Sequence, residues 1–342
     1  MMKKELNLLV TLDLAKEDRE RIQSVSDGIN LRVNHVRDAA AIPDEQWAEV
    51  EALYTGRILP DPAKAPKLKW VQFDTAGVDR YLEDLTRLSP EVTTTTMSGV
   101  ITVQIAEYVV MTLLAMGHKV PLLRHYQAEK TWPDRQIRQK GLMPVELRNS
   151  TVGILGYGSI GREVARLLQP FAPKVLAVKR DVMHPEDTGY TPEGMGDPHG
   201  DLFHRLYPIE ALHSVLAECD FVVVTLPLTD QTRHILNAEA FAAMKKTAYL
   251  VNVGRGALID ERAFVDAIRN KVIAGAALDV FEQEPLPVES PLWQLENVIL
   301  SPHISWLSDK FADERLSLFI QNLNRYMAGL PLYNQVDLNK GY

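Results

Sequence analysis

Three residues in the last third of the chain have types and settings suited to moving a proton beside a carbonyl group. Arg255 stands between two glycines in AYLVNVGRGALIDERAF, Glu284 lies in AALDVFEQEPLP, and His303 follows Pro302 in VILSPHISW. Each comes just after an apolar run of the kind that forms a buried strand, and active sites of open α/β sheets lie at that carboxyl edge. A guanidinium fork at Arg255 can hold a carboxylate through two hydrogen bonds and polarise a neighbouring carbonyl. An imidazolium at His303 can hand its proton to a forming alkoxide. A carboxylate at Glu284 can orient that ring and favour its charged form. Asp279 ends the strand that leads to Glu284. Singly, these are a surface arginine, a loop acid that Pro285 holds extended, and one of nine histidines. What sets them apart is the shared edge.

Reducing a carbonyl also needs a hydride, which a bound cofactor has to bring. TVGILGYGSIGREVARLL, residues 151–168, sets Gly156, Gly158 and Gly161 in the spacing G-x-G-x-x-G around Tyr157, Ser159 and Ile160. The spacing alone is weak evidence. A β-branched run before it and a helix after it, with Ile160, Val164 and Leu168 on one face, give it the context a dinucleotide site requires. Gly156 permits the tight turn, Gly158 lets the backbone approach a pyrophosphate, and Gly161 lets helix and strand pack closely. An NAD site places an acid about 20 residues past this motif, to bind the ribose hydroxyls. Here Lys179 and Arg180 occupy those positions. Two cations suit a 2′-phosphate, so NADP is expected over NAD. The counter-reading gives the ribose role to Asp181.

These groups need elements to carry them. Residues 6–12, 51–55, 70–73 and 92–96 read as strands separated by helices or turns. A second βα series has strands at 151–155, 174–178, 221–225, 248–252, 275–279 and 298–301. That makes an α/β chain with two parallel sheets. Between the series runs TVQIAEYVVMTLLAMGHKV, apolar almost all round, with Ile105, Val109 and Leu113 expected to pack between domains or subunits. After residue 307 a helix with Leu316, Phe319, Ile320, Leu323, Met327 and Leu330 on one face should return to cover the first domain. The expected boundaries are 1–100 and 307–342 for a substrate domain, with 101–306 for the dinucleotide domain. Residues 183–208, rich in Pro, Gly, Asp and His, read as a long loop. His184, His199 and His204 there lack the spacing of a metal site, and none is expected.

At 342 residues the chain is long for one core, and its net charge of −8 argues against nucleic acid or an anionic membrane as main partner. One cysteine, Cys219, allows no internal disulfide, and the cytoplasm is the expected compartment. MMKKELNLLVTLDL is expected to begin with a strand rather than a signal peptide, and no apolar run approaches membrane-spanning length.

Seven segments in order resemble the D-isomer-specific 2-hydroxyacid dehydrogenases: TAGVDRYL at Thr75, SGVITVQIAEYV at Ser98, LGYGSIGRE at Leu155, VVTLPLTDQTRHILN at Val223, NVGRGALIDE at Asn252, ALDVFEQEPLP at Ala277 and SPHI at Ser301. The resemblance implies a Rossmann dinucleotide-binding domain inserted into a flavodoxin-like substrate domain. It makes Arg255, Glu284 and His303 the catalytic set, places Asp279 beside the nicotinamide, and has Pro227, Thr232 and Val253 line the cofactor with Arg255 and His303. The backbone amides of Ala76 and Gly77 would cradle the substrate carboxylate, together with Arg255 and His303. It also implies a small 2-keto acid or D-2-hydroxy acid, such as glyoxylate or hydroxypyruvate, as substrate, and a homodimer joined through the long helix and the YQAEKTW arm. Two other readings stay open at this point: a dinucleotide-sensing scaffold, and a phosphite-type dehydrogenase on the same fold. Retention of all three catalytic types favours an enzyme that acts on keto acids.

Overall fold

A computed structural model describes residues 5–342; Met1–Lys4, with the basic pair that precedes the first expected strand, lie outside the described residues. The chain divides into two compact units. One comprises the described residues up to Ile101 together with Ser308–Tyr342, and the other is Thr102–Leu307.

The first unit holds five strands: β1 (Leu6–Val10), β2 (Ile29–Val33), β3 (Ala52–Thr55), β4 (Trp70–Phe73) and β5 (Thr93–Thr95). They form one parallel sheet in the order β2-β1-β3-β4-β5, the flavodoxin-like order. β3 and β4 are buried along their whole length and are apolar or aromatic except at Thr55 and Gln72. β2 has no counterpart among the strands expected from sequence. Its residues INLRV mix exposed and buried positions at the edge of the sheet, so no apolar run marks them.

The helix Phe311–Ala328 belongs to this unit. Leu316, Leu318, Phe319 and Leu323 are buried, and the Phe319 ring stacks on Tyr54 at 4.1 Å and on Trp70 at 5.7 Å. Asn322, fully buried among them, donates to Gln72 Oε1 and accepts from the Tyr333 amide. The chain therefore returns to close its first sheet. Leu330, expected on the apolar face, is instead exposed, because the helix stops at Ala328 and Gly329 turns the chain at φ 70°.

The second unit holds β6 (Thr151–Leu155), β7 (Lys174–Val178), β8 (Arg205–Tyr207), β9 (Phe221–Val224), β10 (Tyr249–Asn252), β11 (Gly275–Leu278) and β12 (Val298–Leu300). All are parallel, in the order β12-β11-β10-β9-β6-β7-β8. The order reverses between β6 and β9, the switch point where open sheets of this kind receive dinucleotides. β8 corrects the reading of residues 183–208 as loop throughout. Three residues at its end pair with β7, too short a run to stand out from the Pro- and Gly-rich sequence before it.

The long helix Thr102–Gly117 packs on the helix Ser159–Leu168 and against β10 and β11. Ile105, Val109 and Leu113 are buried, and Met111, on another face, is half exposed. No helix among the described residues is long and apolar enough to cross a membrane.

Candidate active site

The glycine turn after β6 shows why each glycine is there. Gly156 has φ +105°, and a Cβ on it would lie 2.7 Å from the Leu226 amide nitrogen. A Cβ on Gly161 would lie 2.3 Å from the Gly156 carbonyl oxygen, so helix and strand meet with no room for a side chain. Gly158 is different: a Cβ there would meet nothing within 4 Å. That open backbone, at the N-terminus of the helix Ser159–Leu168, is the approach a pyrophosphate needs, so the turn fits a dinucleotide.

Around it, Thr232 Oγ1 donates to the Pro227 carbonyl at 2.7 Å and closes the loop after β9, while Val253 is buried just past β10. Tyr157 is buried and its hydroxyl donates to Asp197 Oδ2 at 2.7 Å, so its backbone is the part that the turn presents.

Residues 179–204 fold back on that helix through buried charges. Arg162 donates to the carbonyls of Asp197 and Pro185, and Glu163 accepts from Arg166 and from the Gly196 amide. Asp197 also accepts the amides of Gly200, Asp201 and Leu202. Lys179 is drawn into this segment and donates to the carbonyls of His184 and Glu186. Burial, and then the charge of Arg162, holds its ammonium below the usual lysine range. Arg180 is exposed at the end of β7. The Asp181 carboxylate is engaged by His184 Nδ1 at 2.7 Å and by the Met183 amide. His204 Nδ1 accepts from the Val175 amide, and no group of three metal-ligating side chains stands together among the described residues.

The reactive side chains stand in the loops that follow three neighbouring strands, β10, β11 and β12. Asn252 on β10, Leu278 on β11 and Leu300 on β12 are aligned in register. Arg255 and His303 therefore each lie three residues beyond aligned positions, on strands two spacings or about 10 Å apart. The glycines beside Arg255 are forced by contact. A Cβ on Gly256 would collide with the Phe281 backbone, and one on Gly254 would lie 2.9 Å from Leu258 Cδ1. The buried Asn252 amide ties this loop, donating to the Arg255 carbonyl and accepting from the Gly254 amide.

Glu284 reaches His303 directly. Its Oε2 lies 2.8 Å from His303 Nδ1, and its Oε1 accepts from the Phe281 amide at 3.1 Å. Both carboxylate oxygens are thus fixed, and the Glu284–Pro285 peptide is cis. His303 has φ +53°, uncommon for a residue with a side chain. The surrounding loop holds it there. Asp279, fully buried, accepts from the Ser301 hydroxyl at 2.6 Å and from the amides of Ile304 and Ser305, while Tyr108 extends the chain to Ser301 at 2.6 Å. Asp279 therefore anchors the histidine loop, a task not visible in its sequence context. Asn252, Ser301 and Tyr108 also join the site from outside the candidate set, although all three lie in the resembling segments. The pairing of His234 with Glu282, in an adjacent loop, had no local signal. Ala76 and Gly77 lie in the first unit, half-buried in the turn after β4, where Thr75 donates its hydroxyl proton to the Gly77 carbonyl.

A family model described as the NAD binding domain of D-isomer specific 2-hydroxyacid dehydrogenase matches residues 110–305. The chain is 36% identical over 302 residues to glyoxylate reductase of Aeropyrum pernix, covering 84% of this chain and 83% of that one. A D-isomer specific 2-hydroxyacid dehydrogenase of Xanthobacter autotrophicus Py2, solved with NADPH and MES, is 30% identical with a TM-score of 0.78, over 99% of this chain and 100% of that one. The NADPH-dependent glyoxylate/hydroxypyruvate reductase of Sinorhizobium meliloti, solved with NADP and sulfate, is 28% identical with a TM-score of 0.75 and the same coverages.

Proposed function

The chain belongs to the D-isomer-specific 2-hydroxyacid dehydrogenases, and from that premise we propose that it reduces a small 2-keto acid of the glyoxylate or hydroxypyruvate kind, with NADPH preferred. The observation that carries the reading is the His303–Glu284 contact of 2.8 Å on the sheet edge that also bears Arg255. The nicotinamide, when bound, supplies the hydride. His303 gives the proton on Nε2 to the oxygen that was the keto group. Glu284 holds the other ring nitrogen and offsets the charge of the imidazolium. Arg255 grips the substrate carboxylate with its fork, and the amides of Ala76 and Gly77 are further donors to that carboxylate. Asp279 keeps the histidine loop in register.

Arg180 is the residue assigned to the 2′-phosphate, with Lys179 a weaker contributor because its ammonium already serves two carbonyls. The Asp181 carboxylate already accepts from the Met183 amide and pairs with His184, which favours Arg180 over it at this end of the cofactor. The relatives solved with NADPH or NADP support the same preference. A homodimer is proposed on the apolar side chains exposed along the long helix and the arm that follows, Met111, Leu123 and Trp132. The cytoplasm is proposed on the single, buried cysteine.

The test is kcat/KM over a panel of 2-keto acids with NADPH and with NADH, in the wild type and in Arg180→Ala. Wild-type turnover with NADPH preferred is expected, and the substitution should lower the NADPH-to-NADH ratio by about tenfold, the worth of one charge-assisted contact. A wild-type preference for NADH, or a ratio that Arg180→Ala leaves unmoved, would defeat the cofactor assignment; absence of turnover on every keto acid would defeat the activity.

A further inference from the structure

The carboxyl edge of the first sheet carries a cation that the proposed chemistry does not use. β3 ends at Thr55, opposite Phe73 at the end of β4. Two residues farther on stand Arg57 and Thr75, and Ala76 and Gly77 follow at once. Neighbouring strands lie about 4.8 Å apart, well within the span of an arginine side chain. Contacts confirm that the two strand ends are close: a Cβ on Gly56 would lie 3.8 Å from Asp74 Oδ2.

The position of Arg57 is fixed from below. Thr55, fully buried, accepts through its hydroxyl from the amides of Arg57 and Ile58 and from the hydroxyl of Thr11. The backbone is thus turned and held where the side chain departs. Above that turn Arg57 is exposed, and its guanidinium enters no hydrogen bond or ion pair among the described residues. The carboxylate beside Gly56 does not neutralise it. Asp74 is committed to Arg315, whose Nη1 lies 2.7 Å from Asp74 Oδ2. That pair cancels one cation at the edge and leaves the charge of Arg57 available to a ligand.

We propose that Arg57 selects, within the 2-keto acids, those that carry a second anionic group on C3, a carboxylate or a sulfonate. This rests on the reading that the Ala76 and Gly77 amides hold the carboxylate at C1. A substrate so held presents its C3 substituent a few bond lengths away along the same edge, and a guanidinium fork is the side chain best matched to a planar or tetrahedral oxyanion there. An uncharged substituent would leave that fork facing water and gain nothing from it. Arg57 is in this sense a specificity-determining residue, with no part in proton or hydride transfer.

The test compares kcat/KM for oxaloacetate and 3-sulfopyruvate with that for 2-ketobutyrate, all with NADPH, in wild type, Arg57→Leu and Arg80→Leu. Arg80 is a second exposed arginine, on the turn just past Gly77, and serves as the control for general surface charge. The wild type is expected to favour the two anionic substrates by at least about tenfold. Arg57→Leu should reduce that ratio by about ten- to a hundredfold, the range of a hydrogen-bonded charge contact, and Arg80→Leu should leave it in place. A wild type without the preference, or a ratio that survives Arg57→Leu, would overturn the proposal while leaving keto-acid reduction intact. Loss of turnover on all three substrates in the wild type would instead overturn the activity on which it rests. Because Arg57 is exposed, an unchanged melting temperature in Arg57→Leu is expected and separates selection from folding.

Discussion

Two connections at the carboxyl edge of the second sheet use polar groups in opposite ways. The segment around Glu284 and His303 keeps its reactive side chains partly open, with 38% of the His303 side chain and 25% of the Glu284 side chain exposed. Behind them, buried Asp279 accepts three hydrogen bonds and fixes the loop. Residues 185–204, past the exposed Arg180, do the reverse. Arg162 and Glu163 are buried in the helix that follows the glycine turn, and they spend their hydrogen bonds on the loop's backbone and on each other's neighbours. A charge whose partners are all internal holds a shape; a charge with one face open is available to a ligand. By that criterion the first segment is built for chemistry and the second for enclosing one end of the dinucleotide turn.

The comparison is broken most severely at His303. His303→Ala should lower kcat by about two to four orders of magnitude, the usual weight of a general acid, with NADPH still bound at near wild-type affinity by fluorescence titration. Near-normal turnover would remove the histidine from the mechanism and leave its contact with Glu284 a structural one.

A smaller effect of a different kind is expected at Arg162. Its Nε is buried with no hydrogen-bond partner among the described residues, 3.6 Å from Asp187 Oδ2. Replacing it with leucine removes the donors to two loop carbonyls, and leaves that of Asp197 buried and that of Pro185 partly so. That should cost about 3 kcal/mol and lower the midpoint of thermal unfolding by roughly 5 to 10 °C. Turnover at saturating NADPH should stay within a few-fold of wild type. A large loss of kcat without a change in melting would mean that this segment takes part in the chemistry after all, and the contrast between the two connections would fail.

The same contrast explains what could be read from the sequence. The central strands of both sheets were legible because they are buried along their length, and so appear as short, mainly apolar runs bounded by turn residues. Arg255, Glu284 and His303 were legible as candidates because each breaks such a pattern just beyond a strand end. The edge strands β2 and β8 were not, since one is half exposed and the other is three residues long. Nor could local sequence show that Tyr157 turns its hydroxyl to Asp197, forty residues away, or that Lys179 is captured by carbonyls of the loop it precedes. Those placements depend on how residues 183–204 fold back, and that fold is set by buried ion and hydrogen-bond partners distant in the chain. Asp279 is intermediate: its place at the end of β11 was plain, but its three donors come from residues 301–305.

The central claim is that this sheet edge reduces a 2-keto acid to one hand of the product. The most direct measurement is the configuration of the 2-hydroxy acid formed from hydroxypyruvate and NADPH, resolved by chiral chromatography alongside the consumption of NADPH. The account predicts one mole of D-glycerate for each mole of NADPH consumed. Formation of the L-isomer, a racemic product, or no consumption of NADPH with hydroxypyruvate or any other 2-keto acid would contradict it.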